Sequence, residues 1–171
     1  MVPGARGWDI LVAVLATDRL QIRPFTRNDA PDATAAVGLL MSSDGENHEW
    51  IQRLGIDHQR DHGYAYWQCR DAETGDLLGF CGWREHDLGA SLGYAFAEPF
   101  RTKGYAKEAA DAVVTWGLAN IGVERLYASV RPPNPASCKV LEHAGMTLFK
   151  DYMDANGPRL IYALPGRPPL S

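Results

Sequence analysis

The segment Glu98-Pro99-Phe100-Arg101-Thr102-Lys103-Gly104-Tyr105-Ala106 lies between a strand-like run, Ser91 to Ala97, and an alanine-rich helical run, Lys107 to Ile121. A strand, a glycine-containing turn and a helix N-terminus in that order present several unpaired backbone N–H groups at the positive end of a helix dipole. Such a place binds anions, phosphate above all, and Arg101 and Lys103 add local charge. Gly104 keeps any side chain from standing between the amides and the ligand. A Walker-type loop is excluded because no Gly-Lys-Ser/Thr follows, and a dinucleotide fingerprint needs three spaced glycines that are absent.

Arg-x-x-Gly-x-Ala after a strand resembles the pyrophosphate-binding motif of the GNAT superfamily of acyl-CoA N-acyltransferases. About 30 residues further on, Asn134-Pro135-Ala136-Ser137 through Gly145-Met146 resembles that superfamily's second signature, Asn-x-x-Ser, a short helix and then Gly-aromatic or Gly-Met. Thr17-Asp18-Arg19-Leu20 with Arg23-Pro24-Phe25 looks like the branch that acetylates ribosomal-protein N-termini. Together the matches span residues 17 to 164.

The resemblance implies a central strand splayed from its neighbour, with the pantetheine arm of acetyl-CoA in the gap. Carried over residue by residue, Tyr94, Ala95 and Phe96 border pantetheine, and Arg101, Thr102, Lys103, Gly104, Tyr105 and Ala106 hold pyrophosphate. Asn134 contacts the cofactor arm and Ser137 lies near its sulfur. Each has a plainer reading. Tyr94 and Phe96, on one face of a strand, could fill the core, and Ser137 could serve only the start of its helix.

A thioester is attacked by a neutral amine, and a lysine-like amine of pKa about 10.4 is neutral in only one molecule in a few thousand at pH 7. Deprotonation then costs about 4 to 5 kcal/mol, and far less for an N-terminal amine of pKa near 8. A base, a strand N–H facing the oxyanion and a proton donor for the departing thiolate are the roles to fill. The family often has Glu before Leu-Gly-Tyr of the central strand, where this chain has Ala90-Ser91, and Tyr as acid, where it has Leu141. In the branch resembled, the Ser of Asn-x-x-Ser gives the proton, which points to Ser137. For the base, the loop expected after the second hairpin strand offers Glu85, then His86, beside Asp87; either residue could equally be a solvated turn residue.

Other constellations carry less. His58 and His62 share helical spacing but lack the Glu of a zinc-peptidase helix and any third ligand, so no metal is expected. Cys138 has no His and acid spaced to make it a nucleophile, and direct transfer is the simpler chemistry. Tyr64, Tyr66, Trp67 and Trp83 divide between core and acceptor-pocket wall, since strand neighbours alternate, and Trp50 is a further wall candidate.

The elements that must position these groups are read from periodicity. Strand-like runs are Thr17 to Phe25, Tyr64 to Arg70, Leu77 to Glu85, Ser91 to Ala97, Arg125 to Arg131, Met146 to Met153 and Arg159 to Leu164. Helical runs are Ala30 to Leu40, Asn47 to Arg60, Lys107 to Ile121 and Pro135 to His143, the last ended by Gly145. The order is mixed α+β. With the resemblance it implies a GNAT fold: a mostly antiparallel sheet of six to seven strands with about four helices on its two faces. Residues 1–16 read as an N-terminal extension of partial order and 17–171 as one N-acetyltransferase domain.

A chain of 171 residues suits one such domain. Seventeen Lys and Arg against 21 Asp and Glu give a net charge of −4, so no global positive field holds nucleic acid or anionic lipid. The uncharged run Ile10 to Ala16 is far short of the roughly 20 residues of a membrane span. Cys69, Cys81 and Cys138, odd in number and widely spaced, fit a reducing compartment, and the expected location is the cytoplasm. The expected partners are acetyl-CoA and a primary amine, a protein N-terminus or a small molecule, with no nucleic acid and no membrane, in a monomer or homodimer. The alternative is a non-catalytic acyl-CoA-binding module of the same fold.

Overall fold

The computed structural model describes residues 15–37, 44–131 and 134–166. The alternating apolar residues Leu20 and Ile22 are fully buried in strand β2 (Leu20–Pro24), as the period-2 pattern requires. Before it stands a two-residue strand, β1 (Leu15–Ala16), inside the stretch read from sequence as an extension. There follow β3 (Tyr66–Asp71), β4 (Leu77–His86), β5 (Gly89–Phe96), β6 (Arg125–Val130), β7 (Thr147–Asp154) and β8 (Gly157–Pro165). They form one sheet in the order β1-β2-β3-β4-β5-β6-β8-β7, eight strands rather than six to seven. The added strand is β1, too short to carry a periodic signal.

Helix α1 is described over Ala30–Val37, and residues 38–40 of the expected run to Leu40 lie outside the described residues. Helix α2 (Asp44–Trp50) runs through a wide π-helical stretch, Ile51–Asp57, into α3 (His58–His62) with helical dihedrals at both junctions. Periodicity reads this region as one helix from Asn47 to Arg60, and nothing in it marks the widened turns. Gly55 lies there against Phe25, 3.2 Å from where a Cβ would stand. Helix α4 (Tyr105–Asn120) buries Ala109, Ala110, Val113, Val114 and Gly117 along one stripe, and α5 spans Pro135–His143, as read from sequence.

The sheet packs on both faces. Trp67, Trp83, Leu92 and Phe96 meet α4 and α5 in the larger core, where the Trp83 Nε1–H donates to Val113 O at 3.1 Å. On the other face Phe25, Ala33, Trp50, Ile51, Leu77 and Phe80 form a second cluster. Trp50 belongs to this cluster, 7% exposed, and its remaining surface lines a hollow with Arg27, His48 and Gln52.

The pairing of β5 decides the function of the fold. Along its β4 side it is paired from Gly89 to Phe96. Along its β6 side, the parallel one, only Ser91↔Tyr127 and Leu92↔Ala128 are in register. Beyond Leu92 the two strands part, and a V opens toward Phe96 and Val130.

Candidate active site: a splayed strand above an amide cradle

Phe96 ends β5, and the chain passes through a short 3-10 turn, Glu98–Phe100, before α4 begins. Gly104 is the N-cap of α4 with φ 84°, in the left-handed region that glycine enters without strain. Thr102 holds φ 62°, uncommon for a residue with a side chain. The first amide of this region bonded to the helix is Glu108 N–H, to Gly104 O at 3.1 Å. Among the described residues the N–H groups of residues 102 to 107 engage no hydrogen-bond partner, so they converge as free donors at the positive helix end. Arg101 is anchored, its Nε–H donating to Phe96 O at 3.0 Å, while Lys103 is exposed.

The cradle is held from behind by residues that carried no site role in the sequence reading. Arg19 Nη1 donates to Lys103 O at 2.9 Å, and its guanidinium lies 4.2 Å from the centre of the Tyr105 ring. Glu108 accepts from Arg19 N–H and Nε at 2.8 Å each and from the Thr17 hydroxyl at 2.6 Å. Burial alone raises the Glu108 carboxyl, and these bonds outweigh it, leaving its pKa below the ordinary value. A carboxylate so paired does not repel an anion as a free one would. Arg19 and Glu108 are 89 positions apart. No local pattern joins them.

Between the parted strands lies a cleft of about 200 Å³ lined by Leu92, Gly93, Tyr94, Ser129, Asn134 and Ser137, among others. Tyr94 faces α5 and its hydroxyl donates to Ser137 O at 3.3 Å; burial raises its pKa. Ala95 points to the other face, against the second cluster, and Phe96 is core, stacked with Tyr105 at 6.3 Å. Of the three, only the Tyr94 side chain reaches the cleft. Gly93 is required by close packing, because a Cβ there would stand 2.4 Å from the Tyr66 hydroxyl. Leu141, in the position of the family's acid, is a buried lining residue.

The start of α5 shows what its polar residues bond to. Asn134 is the N-cap, its Oδ1 accepting from Ser137 N–H at 3.2 Å. The Ser137 hydroxyl is not used for capping; it hydrogen-bonds the Tyr94 side chain, a contact that lowers the Tyr94 pKa against the larger effect of burial.

Glu85 and His86 are the last two residues of β4, paired with Ala90 and Gly89, and not part of a loop; the turn is Asp87-Leu88 alone. Gly89, with φ 118°, permits this tight reversal. Glu85 is exposed and shares a sheet face with Trp83, whereas His86 faces the other way. The Glu85 carboxylate accepts from the Tyr64 hydroxyl at 2.5 Å. Burial first, then that carboxylate, pushes the Tyr64 pKa well up. Glu85 N–H donates to His58 Nε2 at 2.8 Å, and Nδ1 of the same ring donates to Tyr64 O at 2.7 Å. Both nitrogens of His58 are thus occupied by the protein, and its ring stacks on His62 at 4.2 Å, an arrangement closed to a metal.

Cys69 and Cys81 are fully buried and their thiols are pushed up by burial, which makes them inert packing residues. No described helix is long and apolar enough to cross a membrane.

Residues 19–147 match the family described as "Acetyltransferase (GNAT) domain". The chain belongs to the GNAT acetyltransferase family. Within it, the chain is 30% identical to the uncharacterized protein YkkB of Bacillus subtilis over 86% of this chain and 93% of that protein. It is 33% identical to the uncharacterized N-acetyltransferase p20 of Bacillus licheniformis, over 86% and 90%. The fold is that of RimL, a ribosomal L7/L12 alpha-N-protein acetyltransferase solved with coenzyme A, at TM-score 0.74 and 17% identity over 90% of this chain and 97% of that one. The GNAT fold expected from the motifs is thus the fold observed.

Proposed function

We propose that the protein moves an acetyl group from acetyl-CoA to a primary amine by direct attack in a ternary complex. One observation carries this reading: β5 leaves β6 after Leu92, and the gap leads to an array of unbonded amides at the α4 N-terminus. The cradle suits a diphosphate through its unbonded amides, and its shape calls for glycine at 104, where φ 84° strains any side chain and a Cβ would stand 3.3 Å from Arg19 Nη2. Residues 101 to 106 hold the diphosphate, and Tyr94 and Asn134 flank the arm in the cleft.

Acetyl-CoA supplies a thioester carbonyl. Past Leu92, strand alternation turns every second N–H of β5 into the gap, where it faces the negative charge that develops on the carbonyl oxygen. The Ser137 hydroxyl, which lines the cleft and hydrogen-bonds the Tyr94 side chain, gives the proton that the departing sulfur takes up. Glu85, near the closed end of the V and held by Tyr64, takes the proton from the amine directly or through water, with His86 the second candidate.

Calorimetry tests the cradle. CoA binds the wild-type protein, and Gly104→Glu abolishes that heat by filling the cradle and adding a negative charge. Unchanged affinity in the variant, or no heat with folded wild type, overturns the reading. Tight CoA binding with no turnover across an amine panel replaces the enzyme by a CoA-binding module, in keeping with Leu141 and Ala90 where the family carries acid and base.

A further inference from the structure

On the face away from α4 and α5, the face that His86 shares and that Glu85 reaches only through the gap or a water, the sheet has two unlike halves. Over β2 to β4 it carries the cluster of Phe25, Trp50 and Phe80. Over β6, β8 and β7 it is open: Arg125, Ser129 and Lys150 are exposed, Phe149 is 46% exposed and Tyr152 37%. The registers Ser129↔Ile161, Lys150↔Ile161 and Tyr152↔Arg159 put Arg125, Tyr127, Lys150, Tyr152 and Arg159 on this one face. Phe149, at the β7 bulge, joins them with its ring 6.0 Å from Tyr127.

The charge on this face runs against that of the whole chain. Arg125, Lys150, Arg159 and, one residue past β6, Arg131 are cations, and Asp154 is the carboxylate among them. Arg131 and Arg159 both engage Asp154, at 2.8 and 3.1 Å. Among the described residues Arg125 and Lys150 have only aromatic partners, Phe149 at 4.8 Å and Tyr152 at 5.4 Å. The protein as a whole carries −4, so this surplus is local. It adjoins the cleft: Tyr127 pairs with Ser91 where the V closes, and Ser129 and Arg131 line the gap.

We propose that this face selects the acceptor, and that the acceptor is a peptide N-terminus followed within a few residues by acidic side chains. The inference rests on the N-acetyltransferase reading and deepens it. From Arg125 to Arg131 along β6 is roughly 20 Å, and from β6 across to β7 roughly 10 Å. A small amine cannot touch cations so spread. An extended chain of five or six residues can, at about 3.3 to 3.6 Å each. Its carboxylates meet the cations, its backbone and apolar groups lie on Tyr127, Phe149 and Tyr152, and its amine reaches the closed end of the V.

The test is acetyl transfer by the full chain to peptides that share two N-terminal residues and carry Glu, Gln or Lys at positions three to six, with free glutamate as a small carboxylated amine. The expected result is a KM for the Glu peptide at least about tenfold below that for the Gln peptide, rising with ionic strength. The double variant Arg125→Glu/Lys150→Glu raises that KM about tenfold or more and leaves CoA affinity unchanged. Should it fail to fold, Arg125→Gln/Lys150→Gln gives the same order of effect with less repulsion. Equal KM across the peptides, indifference of the folded variants, preference for free glutamate, or tighter binding of a single-stranded oligonucleotide than of the Glu peptide overturns the proposal. No heat of CoA binding overturns the acetyltransferase reading instead.

Discussion

In the proposed reaction Ser137 and Glu85 are the two side chains on which the chemistry turns, and each meets a tyrosine hydroxyl, Ser137 that of Tyr94 and Glu85 that of Tyr64. Ser137 is positioned by its backbone, whose N–H goes to Asn134 and whose carbonyl takes the Tyr94 hydroxyl, and its own hydroxyl lies beside Tyr94 at the cleft. Ser137→Ala should therefore lower kcat about 10- to 100-fold, with CoA affinity changed less than about twofold, in steady-state and calorimetric measurements. An unaltered kcat returns Ser137 to structure. Glu85→Gln keeps the Tyr64 contact but cannot take a proton, so its rate deficit should be largest near neutral pH and shrink as the amine deprotonates on its own; a deficit constant with pH removes Glu85 as base. At this scale the sequence discloses residues inside a local pattern, Gly104, Asn134 and Ser137. It conceals Arg19, Glu108, His58 and Tyr64, whose partners are tens of positions away and are brought together only by folding.

The cradle is an element-scale device, because its amides are useful only while the turn from Arg101 to Gly104 keeps its shape. The Arg19 contact to Lys103 O ties that turn to the start of β2, and Glu108 ties Arg19 to α4. Arg19→Ala should weaken CoA binding about 5- to 10-fold, a change on the order of 1 kcal/mol for a charged hydrogen bond at a partly exposed site. The circular dichroism spectrum should stay unchanged, and undiminished affinity would show that the turn stands without this tie. Helices α4 and α5 and most strands were legible, since alternation and the glycine and proline punctuation mark them locally. The end of β4 was not, because Asp87-Leu88 lacks the usual Asn-Gly signal and the strand reading stopped one residue short, at Glu85. The π stretch is likewise silent in sequence. Within its widened turns Gly55 packs closely on Phe25, a contact 30 positions apart that no local pattern shows.

At the scale of the whole molecule, the α+β order and the two signatures already imply a splayed sheet, but only the pairing of β5 with two residues of β6 locates the gap. Stability also belongs to this scale, and His58 makes it depend on pH. Its neutral ring joins α3 to the end of β4 by accepting from Glu85 N–H and donating to Tyr64 O. Burial, with repulsion from His62 and Arg84, lowers its pKa below the ordinary 6.5, against the pull of the Tyr64 carbonyl and the Glu85 carboxylate. Between the folded pKa and 6.5 the unfolded chain therefore binds the extra proton, and stability rises with pH there. The contribution is complete above about 6.5 and is lost as pH falls toward the folded value. Asp29 and Glu108, whose pKa values are also lowered, add losses only in the more acidic carboxylate range. Thermal unfolding should accordingly show Tm falling between pH 7.5 and 5.5, and His58→Gln, which keeps one donor and one acceptor without a titrating ring, should flatten that interval while leaving the fall below pH 4.5. Parallel curves for the two proteins from 7.5 to 5.5 would mean that the join between α3 and β4 does not depend on an uncharged imidazole.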